Sequence, residues 1–335
     1  MGPPMLRYVL ATELRGIDTE ILLSKAEYDG YSAAWRVVTE CLAIEEAFGY
    51  VIADMLDLES VIHRHVLDGI CTPQGEWSQF MDRLHELSRH VMHLLGSSEA
   101  YRDSTPKRLT AAFGAEHTVL KAWKTWTEAI ESSGIEARLW RQLRDLAHHQ
   151  DSPIGCITVQ ARLATPPGIE PIRVEHTMAL LLNDKVRNAK STRRRKKSKS
   201  KGTETLAPEE VPPQYDIRPL IQKHVSQLGK LHADLRAALA AEHKRATESI
   251  DQAIARFADA CGTARDKAFT TLAAVESGSG MTVKTPLHRQ WSDRYNALQR
   301  RYGGVPKLFQ SVITTPASND AKTSKQKEVP PRKAK

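Results

Sequence analysis

The heptapeptide LRDLAHH, residues 143–149, brings Arg144, Asp145, His148 and His149 together just ahead of Pro153. A histidine that titrates near neutrality can move protons. An arginine stays charged and grips phosphate through two parallel N–H groups. An aspartate beside them can fix an imidazole ring by a hydrogen bond. On one helix Arg144 and His148 stand i, i+4 and share a face, as do Asp145 and His149. Arg144 and His149 lie about 140° apart around the axis, so they converge only if the helix frays or Arg144 reaches round. The same residues also suit a plain helix end. Basic side chains in a last turn favour the negative end of the helix dipole and satisfy its free carbonyls.

Other residues of chemical interest are fewer. His90 and His93 are i, i+3 on one helix and could share a metal, but no Cys neighbours them, and Glu86 is the carboxylate at helical spacing. His63 and His65 point apart. Trp123, Trp126 and Trp140 could stack nucleic-acid bases, although tryptophans at this spacing more often build a core. No GxxxxGK[ST], GxGxxG or GxSxG occurs, so nucleotide-hydrolase, dinucleotide and serine-hydrolase chemistries have no support. We expect no cofactor and no metal.

The stretch LRDLAHHQDSP, closing a run of helices, resembles the signature of the HEPN domains (higher eukaryotes and prokaryotes nucleotide-binding). Members of that family carry an Arg, four to six residues and a His, often with Asn or Asp directly after the Arg. Arg144, Asp145 and His149 match that pattern, as part of a resemblance covering residues 30–150. Arg83 with His90, Arg218 with His224 and Arg141 with His148 fit the spacing as well, but none of these arginines has an acidic residue directly after it. The resemblance implies a compact helical bundle that dimerises. It also implies a metal-independent endoribonuclease in a defence, toxin–antitoxin or RNA-processing role. His149 would transfer the proton, Arg144 would stabilise the phosphate and Asp145 would orient the histidine; His148 has no assigned role. The competing expectation is a non-catalytic interaction protein. It would bind nucleic acid through basic segments and pair with a homodimer mate or a helical partner through a coiled coil.

The net charge of +8 conceals an uneven distribution. Residues 190–201 hold eight Lys/Arg and no acid, and residues 322–335 hold six against one Glu, which leaves the remainder about five charges negative. Such runs repel themselves and attract polyanions. Arg193, Arg194, Arg195, Lys196, Lys197, Lys199 and Lys201 are therefore candidates for a nucleic-acid tether adding salt-dependent affinity. RNA or another nucleic acid is the expected partner. No apolar run reaches the length of a membrane span, no membrane partner is expected, and MGPPMLRYVL lacks the layout of a secretory signal. The expected address is cytoplasmic, or nuclear in a eukaryote. Four widely spaced cysteines without a CxxC suggest buried or half-buried free thiols.

The elements that must position these residues are mainly α-helical. Periodicity predicts a helix from Ser32 to Leu67, broken at Gly49, then helices at 76–95, 116–131 and 135–149, with breaks at 96–98 and 133–134. Together these make an antiparallel bundle over 1–150. Residues 151–186 form a small extension, with a strand at 156–164 and a short helix near 174–185. LRYVLATEL suits a strand or a helix. Residues 187–214 read as a basic disordered linker. Residues 215–311 read as an elongated helical or coiled-coil domain, its apolar stripe running from Ile221 to Cys261. Further helices are expected at 264–276 and 285–302, and a disordered basic tail at 312–335.

Overall fold

The computed structural model describes residues 6–12, 19–71, 76–132, 134–148, 152–163, 174–184, 211, 214–262, 271–278 and 281–304. The predicted linker run 190–201 and the tail 312–335 lie outside the described residues. Helix α1 spans Lys25–Cys71. It starts at a capping box: the Glu27 N–H donates to Ser24 Oγ at 3.2 Å, and the Ser24 N–H donates to Glu27 Oε2 at 2.7 Å. From there Val38, Leu42, Phe48, Ile52, Met55, Leu58 and Ile62 bury one broad stripe.

The break expected at Gly49 does not occur. A methyl group at Gly49 would stand 3.2 Å from the Tyr302 ring, so this glycine admits a neighbouring ring rather than ending the helix. Likewise α2, Trp77–Phe113, runs unbroken through Gly96 and Pro106, past the expected stop at 96–98. Proline has no N–H to give its helix, but one turn of the ladder is a small loss against the burial of Leu87, Val91, Leu94, Tyr101 and Leu109.

Helices α1 and α2 are antiparallel. Arg64 and Glu86 pair near their shared end, and Glu40 and Arg108 pair at the other. Helices α3, Thr118–Glu131, and α4, Ile135–His148, follow where periodicity places them. Helix α5, Arg218–Cys261, returns along α1 in the opposite sense, through Arg218–Glu59, Arg236–Glu45 and Arg256–Glu27. The stripe expected to form a separate coiled-coil domain is therefore covered within the chain. Leu220, Val225, Leu228, Leu231, Leu235 and Leu239 share one core with Phe48, Leu87 and Trp123.

Three further expectations are corrected. Residues 174–182 are a strand, not a helix: β3, Ile154–Leu163, pairs antiparallel with β4, Val174–Leu182. Met178, Leu180 and Leu182 are buried at alternate positions, the period of a strand. Leu180 N–H then donates to Asp216 Oδ1, and Ile217 N–H to Leu180 O, which ties the start of α5 to this hairpin. The helix expected at 264–276 is in its described part β5, Leu272–Gly278, and that expected from 285 begins at Gln290 as α6, Gln290–Tyr302, after β6, Met281–Pro286. The opening segment is strand β1, Arg7–Thr12, followed by the short β2, Ile21–Leu22, and the sheet order is β2-β1-β5-β6, antiparallel throughout. Leu10, Leu272, Ala274 and Phe257 are fully buried where this sheet meets the start of α1 and the end of α5.

Cys41 is buried and Cys261 half-buried, while Cys71 and Cys156 are exposed, and none of the four is in a disulfide. Among the described residues no helix is long and apolar enough to cross a membrane.

Candidate functional site

Arg144 sits in the last turns of α4 and faces a cavity of about 190 Å³. Four helices line it. Helix α2 contributes Arg102 and α3 contributes Ile130 and Glu131. Helix α4 adds Glu136, Trp140, Arg141 and Arg144, and α5 adds Lys223, His224 and Gln227. The amphipathic pattern explains the arrangement. Leu139, Trp140 and Leu143 of α4 face the core, which turns Arg141 and Arg144 to the rim.

The charges are mostly paired. Arg102 pairs with Glu131, and Lys223 Nζ donates to both oxygens of Glu136 at 2.7 Å. Arg144 Nη1 meets Glu99 at 3.2 Å, and its Nη2 donates to Asp145 Oδ1 at 3.1 Å. Arg141 Nη2 donates to the Glu131 carbonyl at 3.0 Å. The Arg102 side chain is only 17% exposed. Burial, reinforced by the nearby Arg144 charge, lowers its proton affinity. A guanidinium has five N–H donors, so a single carboxylate partner leaves donors for another anion.

Part of the lining is aromatic. Trp140 and His224 stack with ring centroids 3.7 Å apart, 18° from parallel. His224 is buried, and its Nε2 has no hydrogen-bond partner among the described residues. Burial, with the Arg102 charge adding to it, pushes its pKa down to about 3, so the ring is neutral at physiological pH.

Of the three predicted catalytic residues, Arg144 and Asp145 are in contact with each other, and His149 lies outside the described residues. His148 closes α4 by its backbone. The predicted tether, Arg193, Arg194, Arg195, Lys196, Lys197, Lys199 and Lys201, also lies outside them. Asp145 is bound to Arg144; its expected role toward His149 lies outside the described residues. His90 and His93 have ring centroids 6.3 Å apart, and among the described residues no group of three or more His, Cys, Asp or Glu is placed to hold a metal ion. Trp123 and Trp140 are buried core residues.

Sequence reasoning missed Arg102, Lys223 and His224, which arrive from elements far apart in the chain. It also missed a second polar cluster. Tyr101 Oη donates to His232 Nδ1 at 2.9 Å, and His232 Nε2–H donates to Glu45 Oε2 at 3.1 Å. Arg236 Nε donates to Glu45 Oε1 at 2.8 Å. Phe48 stacks on His232 at 4.0 Å. Burial opposes the Glu45 charge, but Arg236 and His232 outweigh it and hold the carboxyl below its ordinary range. Burial keeps His232 neutral and holds the Tyr101 phenol protonated. Tyr101, His232 and Glu45 are sealed from solvent and every hydrogen bond is complementary, so the cluster locks α1, α2 and α5 in register. The signal was present: His224, His232 and His243 occupy positions on the buried face of α5.

Compared with protein-family models, with curated proteins and with solved structures, the chain gives no match.

Proposed function

We propose that the protein is a metal-independent endoribonuclease of HEPN type that grips RNA phosphate in the cavity beside Arg144. One observation carries this reading. The arginine of the Arg-Asp-x3-His motif lines a cavity that it shares with Arg102, Arg141 and Lys223, and phosphate recognition favours such forks of N–H donors. In the reaction, the RNA 2′-oxygen bonds to phosphorus and the bond from phosphorus to the 5′-oxygen breaks. The 2′-OH proton passes to a base, and an acid returns one to the leaving oxygen. His149 is assigned to proton transfer, and a second chain would supply its counterpart. Arg144 stabilises the charge on the phosphorane. Asp145, bound to Arg144, steadies the guanidinium in this proposal.

A second reading, RNA binding without cleavage, is favoured by the two carboxylates, Glu99 and Asp145, that already hold Arg144. Cleavage of single-stranded RNA by the full chain in EDTA, beside His149→Ala and Arg144→Ala, decides between them. The expected result is cutting by the wild type, a drop of about 10²-fold or more in His149→Ala, as for loss of a general acid or base, and weaker RNA binding in Arg144→Ala. RNA that is bound but uncut by the wild type selects the second reading. Absence of RNA binding overturns both.

A further inference from the structure

We infer that the cavity is a reading pocket for a single unpaired nucleotide, with its phosphate on the Arg102–Arg144 side and its base edge against His224 Nε2 and Gln227. The inference rests on the RNA reading above and deepens it. At about 190 Å³ the cavity is smaller than the roughly 300–1,000 Å³ of sites for drug-sized ligands. A helical RNA groove does not enter such a space, whereas one splayed base with its phosphate does. Sequence-specific proteins take single-stranded RNA in this way, through the exposed edges of unstacked bases.

Three features of the lining point to a heterocycle rather than a bare anion. The lining includes the Trp140–His224 stack, with Ile130 and Leu220 as further apolar residues. His224 Nε2 is one of seven buried side-chain polar atoms without a partner among the described residues, and the one carried by a residue lining this cavity; a ligand or water commonly completes such an atom. The Lys223–Glu136 pair sets a donor beside an acceptor, the pattern of a base edge. On the anionic side, Arg102 keeps N–H groups beyond the one it gives Glu131. Arg144 does the same beyond those it gives Glu99 and Asp145.

Calorimetric titration of the full chain with each ribonucleoside 5′-monophosphate, and with inorganic phosphate, tests this. One monophosphate is expected to bind at least ten-fold tighter than the other three and than phosphate. In His224→Phe, which keeps the aromatic stack, that preference should fall below three-fold while phosphate affinity is unchanged. Gln227→Ala should reduce the preference in the same direction, which covers the case of a His224 variant that does not fold. Equal binding of all four nucleotides and phosphate overturns the pocket, as does a preference that survives both substitutions. A single-stranded RNA oligomer titrated in parallel separates the two readings. RNA binding without nucleotide preference overturns the pocket alone. Nucleotide preference without RNA binding overturns the RNA reading and with it the substrate class inferred here.

Discussion

His224, His232 and His243 all lie on the buried face of α5, and burial depresses the proton affinity of each. The sign of the consequence is fixed. Above the ordinary imidazole pKa of about 6.5 the folded and unfolded chains are both neutral at these positions, and stability is at its full value. As pH falls below that, the unfolded chain takes up protons that the folded one refuses, so stability falls. For His224 the loss continues down to its folded pKa of about 3. The melting temperature should therefore drop steadily between about pH 6.5 and 4. His224→Phe should remove one proton from that slope, about 1.4 kcal/mol per pH unit, with little change at neutral pH, because Trp140 keeps an aromatic partner. An unchanged slope in denaturant titrations stepped from neutral pH down to about pH 4 would contradict the assignment. These histidines were readable only as polar interruptions of an apolar stripe. What makes them informative is that residues of other helices come to meet them. For His232 these are Tyr101, 131 residues away, and Glu45, 187 residues away.

Among the elements, local periodicity placed α3 and α4 within a few residues, because each is short and flanked by a turn. It failed where a glycine or an alanine serves a distant neighbour. Gly49 reads as a break, but its reason is Tyr302, near the far end of the described chain. TTLAAV reads as helix because alanine favours helix, yet Ala273 and Ala274 pair with Ala11 and Leu10 of β1, and β1 is invisible from a window on β5. The motif side of α4 was legible: Arg144 does face a cavity. The rest of the cavity was not, since Arg102 and His224 join it through the packing of α2 and α5. The Gly49 explanation yields a double-mutant test. Gly49→Ala alone should destabilise, because the added methyl meets the Tyr302 ring. In a Tyr302→Leu background the same change should stabilise by up to about 1 kcal/mol, the helix-propensity gain over glycine. Chemical denaturation of the four proteins measures both, and a Gly49→Ala effect of the same sign in both backgrounds would rule the ring contact out.

For the molecule as a whole, the predicted separation into an N-terminal bundle and a C-terminal coiled-coil unit gives way to a shared core, with α1 flanked by α2 and α5. The charge distribution that suggested two units remains useful in a different way. If residues 190–201 act as a tether, deleting them should flatten the salt dependence of RNA affinity. The slope of log Kd against log salt should shrink by roughly 0.7 for each phosphate of a single strand that the deletion leaves without a cation. The melting temperature should stay nearly unchanged. A large drop in melting temperature would place the segment in the core instead.

The pairing of β1 with β5 also bears on how the chain is made. Arg7 faces Ser277 and Thr12 faces Leu272, so β1 is synthesised 260 to 270 residues ahead of the strand it pairs with. At about 5–20 residues per second that interval is roughly 13–50 s, long after α1 and α2 are free to form their hairpin. For that time the nascent chain carries an unpaired edge containing Val9 and Leu10, and chaperones that shield extended apolar segments would act on it at this stage of synthesis.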